Sequence, residues 1–186
     1  MSKNYRKKIF FSLLLFYILT LLQKSFLSHF ALQGAFPNIV LIALLLFIFF
    51  ENPQDNFSKR AGFIAGFFLD IFSNLPLGIA TFSLVSIAFV SKRILENFQK
   101  VNLFLILFFL VFASFFYEFL IIFFTFLSRT PLESPLIFLK NIFSYPILIQ
   151  ILYNSFLGIF IIWSFQILKH QKCLFSFGAK NLSKSE

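Results

Sequence analysis

The 186-residue chain is 59% hydrophobic and only 12% charged, with a formal net charge of +9 at pH 7. Soluble domains carry about 45–50% apolar and about 25% charged residues. A soluble globular fold of this length is therefore excluded, and a single-domain, all-α integral membrane protein is expected. The one cysteine, Cys173, excludes an intrachain disulfide, and His29 and His170 stand isolated, so no metal site is expected.

Six apolar segments follow one another at about 9–22, 36–50, 61–73, 78–90, 101–127 and 142–168. A basic tail, 1–8, precedes them and a second, 169–186, follows. The first segment has the basic and apolar parts of a signal peptide, but "QKSFLSHF" comes next and supplies no small-x-small cleavage site. It is expected to be a retained helix. A spanning helix usually takes about 17–25 residues, so the first four segments must recruit flanking polar residues or thin the bilayer. The last two are long enough to span with tilt. Segments three and four are separated only by "NLPL". Asn74 and Pro76 are turn formers and Gly78 frees the backbone, which predicts a tight helical hairpin. A re-entrant loop is the alternative.

The basic residues cluster at segment ends, which points to topology and attraction to anionic lipid, not to nucleic acid. With the N-terminus inside and six crossings, one side holds Lys3, Arg6, Lys7, Lys8, Lys59, Arg60, Lys92, Arg93, Lys100, Lys169, Lys172, Lys180 and Lys184. The other holds Lys24, Arg129 and Lys140. Both termini are expected in the cytoplasm. The hairpin variant that does not cross leaves the other loops on the same sides.

Most acids, Glu51, Asp55, Glu96, Glu133 and Glu186, fall in loops or the tail, where a charge is cheap. Asp70 and Glu118 fall inside apolar segments, where a charge costs at least about 2.5 kcal/mol. Gly62, Gly66 and Asp70 are four apart, so on a helix they share a face. The glycines admit a neighbouring backbone, and the carboxyl can then bond across the contact. Packing on another helix of the same chain is the plainer account, a partner-binding face the sharper one, and a proton or ion path a third. An amide at position 70 would keep a bond. Ser114 and Glu118 are also four apart and begin a thin polar stripe reaching Thr125. It predicts a hydrogen bond to another helix, and a proton-sharing pair with Asp70 is the alternative. No motif of nucleophilic, metal or phosphate chemistry occurs, so neither catalysis nor a cofactor is expected.

Two stretches carry a family resemblance. "FPNIVLIALLLFIFF" (Phe36–Phe50) has a proline, a polar residue and a Leu-rich run. "AGFIAGFFLDIFSNLPLGIATFSLVSIAF" (Ala61–Phe89) has paired glycines, an intramembrane aspartate, a short polar break and Leu-Gly. With two longer apolar helices and a basic tail after them, the chain resembles the rod shape-determining MreD family over about 9–168. Pro37 and Asn38 fall on the second-helix opening; Asn38 stands where the family often has an acid and keeps the hydrogen-bonding capacity. The resemblance implies a six-helix multi-pass protein of the bacterial cytoplasmic membrane. It implies a non-enzymatic role in rod shape and lateral peptidoglycan synthesis with an MreC-like bitopic partner, and indirectly with the actin-like MreB and the peptidoglycan synthase and transpeptidase. It also implies a bundle similar to the substrate-capture subunit of energy-coupling factor (vitamin) importers, which is the alternative function. Such a subunit needs a cavity lined by polar side chains. A pore or holin-like protein would need a polar stripe on more than one helix.

Overall fold

The computed structural model describes residues 3–32, 34–51, 57–73, 76–96, 103–128 and 144–182. Asn74 of the expected turn and the basic residues Lys100, Arg129, Lys140 and Lys184 lie outside the described residues. Six α-helices account for nearly all of them: α1 (Lys3–Ser25), α2 (Ile39–Phe50), α3 (Phe57–Ile71), α4 (Ile79–Leu95), α5 (Leu103–Ser128) and α6 (Tyr145–Leu182). Three are long and apolar enough to cross a membrane, over Arg6–Ser25, Phe104–Leu127 and Tyr145–Ser164. At 1.5 Å per residue, the 26 residues of α5 reach about 39 Å. The 15 of α3 and 17 of α4 reach only about 22 and 26 Å.

The helices outrun the apolar segments at several ends. Helix α1 takes in Lys7 and Lys8, α3 begins before Lys59 and Arg60, and α4 ends after Lys92 and Arg93. Backbone hydrogen bonds decide where a helix stops, and long basic side chains can leave the helix sideways without ending it. Helix α6 likewise continues through residues 169–182, beyond the apolar run.

Helix α2 is the hub. It packs on α1, α3, α4, α5 and α6, and Val40, Leu41, Leu44 and Leu45 are fully buried. Its sequence, IVLIALLLFIFF, is apolar all round, as a helix surrounded on every side must be. Helices α3 and α4 pack antiparallel through small residues: Ala61, Ala65, Ala80 and Ala88 are all buried. The outside of the bundle is aromatic. Phe63, Phe67, Phe82, Phe89, Phe104, Phe156, Phe160 and Trp163 are each more than half exposed. A mainly aliphatic core, with Phe16 and Phe109 its largest fully buried side chains, inside a phenylalanine-rich exterior suits hydrocarbon, because lipid sets no penalty on an apolar surface.

Candidate functional site

Buried polar side chains gather in three places, and all three lie at helix ends or between helices. The first is the start of α4. That helix has no cap of its own, because the residue before it is Gly78, at φ 99°. The left-handed backbone there suits glycine, and glycine has no side chain to offer the open N–H groups of the first turn. Asp70, near the end of α3, supplies what is missing. Its Oδ1 accepts from the Ala80 N–H at 2.8 Å, and its Oδ2 accepts from the N–H groups of Gly78 and Thr81, each at 3.0 Å. The Thr81 hydroxyl donates to Oδ2 as well. Ala80 and Thr81 are the second and third residues of α4, the positions a cap side chain ordinarily serves. The carboxylate also sits at the positive end of the helix dipole. Four donors and that dipole account for a 3%-exposed acid in an apolar segment.

Such a reach across helices needs a close approach, and the glycines provide it. A Cβ on Gly66 would come within 2.8 Å of the Thr81 nitrogen and 3.0 Å of the Ala80 carbonyl oxygen, and closer still to Thr81 Cα. On Gly62 it would meet the Leu84 carbonyl oxygen at 3.1 Å and Ala88 Cβ at 3.2 Å. The face of Gly62, Gly66 and Asp70 is thus covered by α4 of the same chain.

The second place surrounds the start of α2. Pro37 is buried and lacks an N–H; Asn38 follows as the cap, its Oδ1 accepting from the Leu41 N–H at 3.0 Å. Two other helices help. Gln23 of α1 accepts from the Val40 N–H at 3.2 Å, and Asn154 of α6 accepts from the Asn38 N–H at 2.7 Å. The Asn154 amide then donates to Ser114 of α5 at 3.1 Å. One turn along, the Gln150 amide donates to Glu118 Oε1 at 2.7 Å. Gly158 continues the row, where an added Cβ would meet the methyl carbons of Leu110 at 2.6 and 2.7 Å. Residues 110, 114 and 118 of α5 therefore face 158, 154 and 150 of α6, in steps of four running opposite ways. Asp70 and Glu118 have separate partners.

The third place is the opposite end of α2. Glu51 pairs with Lys92 of α4 at 3.0 Å, and both side chains are nearly buried, 8% and 6% exposed. The other Glu51 oxygen accepts from the Ser58 N–H, in the first turn of α3, at 2.8 Å. Glu51 is thus no cheap loop acid: it joins α2, α3 and α4. Its surroundings in sequence, "ENPQDN", show only a turn, and nothing local discloses a lysine 41 residues on.

Sequence reasoning also passed over Gln23, Gln150 and Asn154. The last two carried a legible signal, since Gln150, Asn154 and Gly158 repeat every four residues, as Ser114 and Glu118 do. Among the described residues, no group of three or more His, Cys, Asp or Glu side chains is placed to hold a metal ion. Searches against family models, curated proteins and solved structures return no match to the chain.

Proposed function

We propose that the chain is a non-enzymatic, six-crossing subunit of the bacterial cell-elongation machinery. It lies in the cytoplasmic membrane with both termini inside, and acts with an MreC-like single-span partner in rod shape and lateral peptidoglycan synthesis. Support comes from the sequence resemblance and from one structural observation: the amide and carboxyl side chains inside the bundle are engaged with helix ends or with one another. Asp70, Asn38, Gln23 and Glu51 hold helix starts; Asn154 and Gln150 hold α5. Side chains committed in this way build a rigid body and leave little with which to recognise a small solute. That favours a scaffold over a capture subunit.

Two experiments test the reading. Reporter fusions after Lys172 and at Leu77 should report the cytoplasm and the outside respectively. A cytoplasmic report at Leu77 would replace the six crossings by a re-entrant hairpin. Depletion in a rod-shaped host should round the cells, and the tagged protein should co-purify with the MreC-like partner. Rods that persist, with no partner recovered, would sink the assignment.

A further inference from the structure

We infer that the outer face of the α3–α4 hairpin is a binding site for one anionic phospholipid, with its phosphate held at the Lys59–Arg93 end. This rests on the reading that α3 and α4 cross the membrane with that end in the cytoplasm. Lys59, Phe63 and Phe67 follow one another at steps of four on α3, and the Phe63 and Phe67 rings stack at 6.4 Å. On α4, Phe82, Phe89 and Arg93 follow at steps of seven and four, so they too lie along one side. The two rows meet where the Lys59 ammonium sits 5.0 Å over the Phe89 ring. The result is a strip of four half-exposed phenylalanines with cations at one end.

A cavity of about 290 Å³ opens at that end, lined by Lys59, Phe89, Lys92, Arg93 and Glu96. Lys92 is held by Glu51, and Arg93 lies 3.8 Å from Glu96 at the exposed rim. Lys59 has no ion pair among the described residues, and its side chain is kept in place by an aromatic ring, not by a carboxylate. The lining cations, Lys59, Lys92 and Arg93, outnumber the acids Glu51 and Glu96, so the cavity favours an anion. Basic pockets between helices at the cytoplasmic side are suited to anionic headgroups. Helix length adds an independent reason. From Lys59 to Asp70 the chain rises only about 17 Å, well short of a hydrocarbon core of about 30 Å. The bilayer must thin against this edge, which carries phosphates down to the level of the cavity. A headgroup bound there would lay its acyl chains on Phe63, Phe67, Phe82 and Phe89.

The test compares lipid retained by the purified full chain. Protein is extracted from vesicles of equal parts phosphatidylglycerol and phosphatidylcholine and weighed by native mass spectrometry. The wild type should retain phosphatidylglycerol at least fivefold over phosphatidylcholine. The double variant Lys59→Gln/Arg93→Gln should lose that preference while its melting temperature in pure phosphatidylcholine stays unchanged. Phe63→Ala should weaken retention with the cations intact. Millimolar inorganic phosphate should displace nothing; displacement would mark a site for free phosphate and overturn the lipid. Equal retention by wild type and double variant overturns the site too. A wild type with no preference, in a protein whose fusions report six crossings, overturns the site and leaves the topology standing. Loss of the MreC-like partner from the assignment would leave the lipid result untouched.

Discussion

Helices α3 and α4 meet backbone to backbone, whereas α5 and α6 meet side chain to side chain. In the first pair the glycines of α3 put no side chain of their own between the two main chains, and the one polar side chain reaches peptide N–H groups. In the second pair an amide meets a hydroxyl, an amide meets a carboxyl, and a leucine tip fills the space over a glycine. Main chains cannot rotate out of a clash, but side chains can. The two interfaces should therefore differ in tolerance far more than in chemistry, and the difference can be tested position by position.

The largest effect is expected from Gly66→Ala. One methyl group would collide with the backbone of Ala80 and Thr81, force the helices apart and pull Asp70 from its donors. Overpacking and an unmet buried carboxylate together should cost on the order of 3 kcal/mol or more. Membrane levels should fall, and urea unfolding in detergent should shift well to lower denaturant. A Gly66→Ala protein of wild-type stability would break the comparison at its strongest point.

Asp70→Asn comes next. Three of the four groups around the carboxyl are N–H donors, so the amide nitrogen would face at least one of them, and only the Thr81 hydroxyl could turn to accept its hydrogens. The expected loss is about 2 kcal/mol, larger than the preserved-bond argument from sequence allows. The same unfolding measurement should rank it close below Gly66→Ala.

Asn154→Leu tests the other pair. It leaves the Asn38 N–H and the Ser114 hydroxyl without this partner, and should cost about 1 kcal/mol. Glu118→Gln should be nearly silent, within about 0.6 kcal/mol, since a Gln carbonyl can still accept from the Gln150 amide. Smallest of all is Gly158→Ala. The colliding atoms are the two methyl carbons of Leu110, which can turn aside, and the alanine recovers about 0.5–1 kcal/mol of helix preference. Its melting temperature should equal or slightly exceed that of the wild type. A large loss at Gly158 would erase the distinction between the two interfaces.

The sequence carried the face of Gly62, Gly66 and Asp70 plainly, because spacing of four on a helix is independent of what lies opposite. What lay opposite was hidden. Asp70 binds the peptide groups of α4, and any residue types but proline at 80 and 81 offer those N–H groups, so no side-chain pattern announces the contact. The hairpin was legible for a different reason: few residues separate the two apolar runs. Glu51 and Lys92 were illegible, since an acid beside Asn and Pro looks the same whether it ends in water or under a third helix. Apolar length likewise located each helix but not its ends, which were set by caps such as Asn38 and by basic residues that remain helical.

The cap on α4 also bears on how the protein is made. Gly78 brings no side chain to the open N–H groups of that helix, and the group that satisfies them belongs to the segment synthesised just before it. Asp70 and Ala80 are ten residues apart, so the closing loop is short and its entropic cost small. The first turn of α4 is thus stable only once α3 has already formed beside it. On the proposed six-crossing topology, helices α3 and α4 should enter the membrane as one piece, in the order the ribosome delivers them. A version of the gene in which α4 is translated before α3 should give a protein that inserts poorly, although every residue of the mature bundle is present.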